Sequence, residues 1–112
     1  MQRRFKIAFI AIGIALAISL ALHGLVNAQS GAIQRGQQFA KANCARCHSI
    51  DKVTSSPLAL APAFRSLHMR YPVENLREAL SEGIVTSHQN MPEFRLEPDQ
   101  INDFLAFLKS LE

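Results

Sequence analysis

The sequence predicts an all-α protein. No segment shows the alternation of apolar and polar residues that marks a half-buried strand. Near the C-terminus, apolar residues recur instead at helical spacing, at Ile101, Phe104, Leu105, Leu108 and Leu111. Start and stop signals flank this and an earlier segment, which supports separate short helices. We therefore expect three to four helices and no sheet.

The first residues, 1–28, have the layout of a secretory signal peptide. A basic start precedes an apolar run over residues 7–22, and Val26 and Ala28 are small residues at positions −3 and −1 of a bond after Ala28. The alternative is an uncleaved membrane anchor, with an apolar run close to the lower limit of the ~17–25 residues that a span needs. We expect export to the periplasm, with membrane attachment only if this segment is retained.

The remainder, residues 29–112, is predicted to form one small domain with balanced charge. The chain has 12 Lys+Arg and 9 Asp+Glu, and three of the cations lie in the first six residues, so nine of each remain. This balance gives no reason to expect nucleic acid as a partner. A domain of this size buries only about 60–65% of its unfolded surface. A large apolar cofactor would supply the missing core.

The first helix is predicted from Ala32 to Ala42, with Ser30 as its N-cap. Gly36 inside this helix costs about 1 kcal/mol relative to alanine. It is either a tolerated surface glycine or the point of close approach by another helix. A middle helix is predicted from Pro72 to Glu82, where Gly83 ends it.

The last helix begins at Glu97-Pro98-Asp99-Gln100, because proline suits the first helical position and an acidic residue suits the first turn. Phe107 flanks its apolar stripe. The segments 50–69 and 84–96 are predicted to be irregular. A connection as long as the first is unusual in a compact domain, but it is reasonable if the chain wraps around a cofactor.

The most informative motif is Cys44-Ala45-Arg46-Cys47-His48, because C-x-x-C-H is the attachment signature of c-type haem. On a helical turn, residues three and four apart share a face. Cys44 and Cys47 can therefore form thioethers with the two vinyl groups of one porphyrin, and His48 can bind the iron. The sequence predicts one haem c, attached through two thioethers.

The cysteine pair has three other interpretations. A thioredoxin-like redox pair needs a βαβ pattern, and none is visible. A structural zinc site needs two further ligands, for which only His68 and His88 are available, in unrelated contexts. A motif without a role is the third. Export, the helical pattern and the lack of other cysteines favour haem.

Four residues are candidates for the sixth iron ligand: Met91, Met69, His68 and His88. Met91 lies in a polar loop, and the following Pro92 stiffens the backbone beside the sulfur. Met69, which precedes a helix, has the context of a packing residue. We favour Met91 over a histidine or an open site. A His/Met pair fills both axial positions and raises the reduction potential, which suits electron transfer and does not suit oxygen activation.

With these residues in place, the chain resembles a class I c-type cytochrome over nearly all of residues 31–112. The resemblance implies a cytochrome c-like fold, with three to four helices around a covalently bound haem. In that family the first and last helices cross at a glycine/aromatic contact, which corresponds to Gly36 and Phe107 here. The family also has a Gly-Pro whose proline carbonyl accepts a hydrogen bond from the proximal histidine. In this chain the dipeptide is Ala61-Pro62, and we assign the role to Pro62.

The sequence therefore predicts a monohaem carrier of single electrons between larger redox proteins, and not an enzyme. Its partners would be donors and acceptors such as a dehydrogenase or an oxidase, held through a small interface. One alternative is a dedicated subunit of an exported dehydrogenase or oxidase, with Phe94 and Leu96 in an apolar surface patch. The other is a ligand sensor or small haem enzyme with an open sixth position.

The surface around the haem edge is less defined by the sequence. Four cations are candidates to surround it: Arg46, Lys52, Arg65 and Arg95. The competing interpretation is that each is an ordinary solvated charge.

Overall fold

The computed structural model describes residues 2–83 and 90–112, and this part of the chain is helical with no strand. The described ranges contain three α-helices: α1 at Gln2–Asn43, α2 at Leu76–Glu82 and α3 at Pro98–Ser110. Two 3₁₀-helices lie between α1 and α2, at Phe64–Met69 and Val73–Asn75. The all-α prediction is confirmed.

The predicted start of the first helix is wrong. Helix α1 does not begin at Ala32 with Ser30 as its cap, because it already includes the residues before that point. The Ser30 hydroxyl donates to the Asn27 carbonyl three residues earlier, so it satisfies a helical carbonyl rather than capping free amides. The segment also lacks a proline that would stop the helix. The predicted end at Ala42 lies one residue from the observed end.

The chain divides into two compact units, one ending at Ser30 and the other spanning Gly31–Glu112. In the first unit, residues 9–30 are exposed. Within the described residues, Phe9–Asn43 is the one helical stretch long and apolar enough to span a membrane, and a signal sequence near the N-terminus has the same properties. The second unit contains the hydrophobic core.

The core of the second unit is built around α3. All the residues of its predicted apolar stripe are buried: Ile101, Phe104, Leu105, Leu108 and Leu111. The flanking Phe107 is buried as well. Glu97 and Gln100 form a capping box at the start of this helix, at the point where the sequence predicts that it begins. Val73 and Leu80 add to the core from the middle of the chain. The prediction for α3 is confirmed.

The middle helix is shorter than predicted, because the Val73–Asn75 turn is 3₁₀ and only Leu76–Glu82 is α-helical. It ends where predicted. Gly83 has a φ of 106°, a conformation that glycine adopts without steric cost, and its amide donates to the Ala79 carbonyl.

Gly36 marks the contact between α1 and α3. A Cβ at this position would overlap the carbonyl of Asp103 and lie 2.7 Å from the Cβ of Phe107. The close-approach explanation is therefore confirmed. The residue before Gly36 adds a polar contact: the Arg35 guanidinium donates to both carboxylate oxygens of Asp103, at 2.6 and 2.8 Å. This exposed ion pair fixes the register of the two helices at the same level.

Candidate functional site

A cavity of about 590 Å³ lies within the second unit. Its volume falls within the range of ~300–1,000 Å³ that is usual for cofactor sites. The lining is mainly apolar, and its aromatic members are Phe39, Phe64, Tyr71, Phe94 and Phe104. The cysteine motif borders it: Cys44, Cys47 and His48 all line the wall.

The cysteine motif reaches this wall because α1 ends in a tight turn. The amides of Cys44 and Ala45 both donate to the Ala40 carbonyl, at 2.8 and 3.1 Å. The amides of Cys47 and His48 then donate to the Cys44 carbonyl, at 3.1 and 3.0 Å. The Cys44 carbonyl thus accepts from both Cys47 and His48 and holds them in one turn, so the two sulfurs and the imidazole line the same cavity. Both cysteines are free thiols.

Burial raises the pKa of the Cys44 thiol to about 11. The thiolate, and not the neutral thiol, is the reactive form in disulfide exchange. A thiol that stays protonated at neutral pH is unsuited to a thioredoxin-like role. The electrostatics of the site therefore agree with the sequence argument against a redox cysteine pair.

The His48 ring is oriented by a backbone carbonyl. Its Nδ1 lies 2.8 Å from the Pro62 oxygen. A carbonyl can only accept, so Nδ1 carries the proton and Nε2 keeps its lone pair. This is the usual arrangement behind a metal-ligating histidine. The predicted hydrogen bond to Pro62 is confirmed.

Of the sixth-ligand candidates, Met91 lines the cavity, together with its neighbours Asn90 and Pro92. His68 and Met69 are exposed and do not line it, and Met69 is 72% exposed. The expectation that Met69 is a packing residue is wrong, because its 3₁₀-helix buries Phe64 and Leu67 instead. His88 lies outside the described residues.

The model of the cytochrome c family matches residues 33–112 of this chain. The chain belongs to the cytochrome c family. Neither the curated proteins nor the solved structures compared with it give a significant match. A cytochrome c domain implies covalently bound haem c, an electron-transfer role and redox proteins as partners in general.

The residues around the cavity of this cytochrome c fit such a group. Two free thiols stand at C-x-x-C-H spacing, the Pro62 carbonyl engages Nδ1 of His48 and leaves Nε2 for a metal, and the remaining wall is mainly apolar. No group of three or more His, Cys, Asp or Glu residues that could hold a metal occurs in the described residues.

The surface at the cavity mouth differs from the expectation. Phe94 and Leu96 do not form an apolar surface patch: Leu96 is buried, and Phe94 packs edge-on against Phe39 with ring centroids 5.8 Å apart. Leu58 and Leu60, by contrast, line the cavity and are 47% and 80% exposed, so they border its opening to solvent.

The cations of this cytochrome c also separate by position. Arg46 and Lys52 are exposed, whereas Arg95 lies 3.8 Å from the Glu93 carboxylate. Arg65 is half-buried and bonds within the loop after His48. Arg70 is the charged residue among the described lining residues, and it was not among the cations predicted to surround the haem edge. Its position directly before Tyr71, which also lines the cavity, carried no recognisable signal.

Proposed function

We propose that this cytochrome c is an exported single-electron carrier in which Cys44 and Cys47 tether the haem and His48 and Met91 ligate its iron. The observation that carries the proposal is that all four side chains line one apolar cavity. When bound, the haem supplies an iron that alternates between the ferric and ferrous states. It acts as a carrier of electrons and not as an enzyme.

The protein's own residues have three tasks in this proposal. The Pro62 carbonyl fixes the His48 ring and leaves Nε2 free for the iron. Phe64, buried beside the His48 ring at 5.0 Å, and Phe104 keep water from the apolar wall. Pro92 stiffens the backbone after Met91. A closed apolar site with two protein ligands favours outer-sphere electron transfer over substrate binding at the iron.

Replacement of Met91 tests the ligand assignment. Met91→Ala should abolish the long-wavelength absorption band that the family shows with methionine-ligated ferric haem, while the haem stays covalently attached. The reduced variant should also bind carbon monoxide rapidly, which the wild type should not. Met69→Ala is the matched control, because that methionine is 72% exposed and does not line the cavity.

Two outcomes contradict the ligand assignment. Persistence of the band in Met91→Ala would rule out Met91. Rapid and complete carbon monoxide binding by the wild type would favour the sensor or enzyme alternative with an open sixth position.

Electron exchange is proposed to take place at the mouth that bears Leu58 and Leu60. The amide of Leu58 donates to the Cys47 carbonyl at 3.1 Å, so this apolar surface adjoins the cysteine turn. Arg70 lines the same cavity, Arg46 lies within the cysteine turn, and both are exposed. From residue 31 to 71 the chain has six cations and one carboxylate, whereas from 72 to 112 it has three cations and eight carboxylates. We infer a partner with an apolar contact patch and an acidic rim.

Small redox probes test the sign of the charge at this mouth. Hexacyanoferrate, an anion, should react more slowly as ionic strength rises, and a cationic cobalt(III) complex should react faster. The whole domain has nine cations and nine acidic residues before the haem propionates are added. Its net charge therefore predicts no attraction of anions, so this salt dependence would report the local charge at the mouth. Arg70→Glu should reverse part of the effect, and Arg77→Glu serves as the control.

The N-terminal segment is proposed to act as a signal peptide over residues 1–28, with the cytochrome c domain at 29–112 in the periplasm. The apolar helix and its position near the N-terminus support the proposal. The mass of the exported protein tests it. Cleavage after Ala28 gives a product that starts at Gln29, whereas a retained leader gives the full mass and a membrane-bound protein.

A further inference from the structure

The loop that follows His48 is closed by polar contacts to Ser49. The amide of Phe64 donates to the Ser49 carbonyl at 3.0 Å, so the chain returns to the beginning of the loop. Ser49 is 3% exposed and is the one buried polar residue among those described. Pro62, whose carbonyl holds the His48 ring, lies two positions before this closure. The loop over residues 49–65 is therefore closed by a backbone hydrogen bond, and His48 directly precedes it.

The interior of this loop is occupied by the Arg65 guanidinium. Its Nη1 donates to the Thr54 carbonyl at 2.6 Å, to the Ser49 hydroxyl at 3.2 Å and to the Asp51 carbonyl at 3.3 Å. None of the ion pairs among the described residues includes Arg65. The Asp51 carboxylate instead accepts from the amides of Val53 and Thr54, at 2.7 and 2.6 Å. The Arg65 cation thus links three residues of the loop through hydrogen bonds to their oxygens.

The position of the His48 ring depends on this loop. The Pro62 carbonyl binds its Nδ1, and the Phe64 ring packs against it. Both residues lie within three positions of Arg65. The Pro62 carbonyl can orient the imidazole only if the backbone of its own loop is fixed in place. The hydrogen bond also gives the ring its basicity as a ligand.

We propose that Arg65 is a positioning residue for the haem iron. By fixing the loop over residues 49–65, it holds the Pro62 carbonyl on the Nδ1–H of His48. The inference rests on the proposed role of His48 as an iron ligand. Arg65 then acts through the backbone and not through contact with a partner, in contrast to the expectation that it surrounds the haem edge.

The His48 ring proton in the matured holoprotein is the probe. As the proton of an iron ligand, it should give a strongly shifted signal in the NMR spectrum of the ferric protein. Arg65→Met keeps a long side chain but removes every donor. It should speed the exchange of this proton with solvent about ten- to a hundredfold, because a charged hydrogen-bond donor is lost and the loop opens more often. The Leu105 amide, in the centre of α3, should keep its exchange rate.

Two variants complete the test. Arg65→Lys should restore part of the protection, since its ammonium has three donors for the three acceptors that Nη1 now serves. It also carries the test if Arg65→Met yields no holoprotein. Arg77→Met is the matched control, because Arg77 is an exposed arginine that donates to the Asn102 side chain at 2.8 Å, outside the loop. It should leave the His48 proton unchanged.

Exchange of the His48 proton that is unaltered in Arg65→Met, or accelerated only as much as that of the Leu105 amide, would overturn the proposal. The second result would mean a general loss of stability. Absence of a shifted His48 signal in the wild type would instead overturn the ligand assignment, and the role of Arg65 with it.

Discussion

The two walls of the cavity are built in different ways. The histidine wall, residues 44–65, is held by hydrogen bonds. The Ala40 and Cys44 carbonyls accept from the amides of the cysteine turn, and Arg65 donates to the Thr54 carbonyl in the loop that follows. The methionine wall, residues 90–96, is held mainly by packing in the described part of the chain. Phe94 contacts Phe39, and the Leu96 amide donates to the Leu80 carbonyl at 2.8 Å.

This difference indicates where the site opens first. A segment held by few buried contacts opens at lower free energy than the core of the domain. Two thioethers on the histidine wall would add a covalent restraint that the methionine wall lacks. Under the proposed ligation, loss of Met91 from the iron should therefore precede any disturbance of His48.

The largest expected effect comes from Gly36→Val, which should damage both walls equally. The new side chain would overlap the Asp103 carbonyl and Phe107, and a backbone atom cannot rotate away. We expect the free energy of unfolding to fall by about 3 kcal/mol or more, as for severe overpacking. Denaturant titration of the holoprotein, followed by circular dichroism and by the haem spectrum, should show both signals lost together.

Gly31→Ala is the control for this substitution. A Cβ there meets only the flexible end of the Arg35 side chain, at 3.3 Å. Alanine in a helix is favourable relative to glycine, so stability should be unchanged or slightly higher. Equal losses in the two variants would contradict the close-contact explanation.

A smaller and one-sided effect is expected from Phe94→Ala. Truncation of this half-buried ring removes its contact with Phe39 and should cost about 2 kcal/mol, less than for a fully buried phenylalanine. The methionine band should disappear at a lower denaturant concentration than in the wild type, and its midpoint should shift more than that of the helical signal. Leu60→Ala, at an 80% exposed position, should shift neither. Equal shifts of both signals in Phe94→Ala would mean that the two walls are not separable.

The smallest effect concerns pH and the histidine wall. Hydrogen bonds from the Thr54 hydroxyl and from the Thr54 and Val53 amides lower the pKa of Asp51 from 3.8 to about 2. The ionised carboxylate therefore stabilises the folded protein above pH ~4, and this contribution is lost as the pH falls towards 2. The stability difference between the wild type and Asp51→Asn should shrink over that interval in acid titrations at fixed temperature. A difference independent of pH would show that the turn does not depend on the charge.

The sequence predicted the elements whose causes are local. The α3 stripe and the Gly83 stop are encoded within one or two turns, so pattern alone found them. The start of α1 was missed although Ser30 is a good N-cap residue. An N-cap residue starts a new helix only if the residues before it leave the helical conformation, and here they do not.

The site was predicted in part for the same reason. The cysteine motif is contiguous, and the Pro62 contact was available from the family resemblance. The contact of Arg65 with Ser49 joins residues sixteen positions apart through a side chain, and neither residue type indicates it. Phe94 and Leu96 were misplaced because an apolar residue in a loop carries no sign of whether it covers the core or faces solvent.

The central claim is that one haem is covalently bound to the two cysteines of the C-x-x-C-H turn. The most direct measurement is the mass of the protein matured in cells with a working cytochrome c assembly apparatus, after loose pigment is extracted with acid acetone. The account predicts a coloured product carrying the mass of one haem, located by fragmentation on the peptide that contains Cys44 and Cys47. A colourless product in which both cysteines can be alkylated would contradict it.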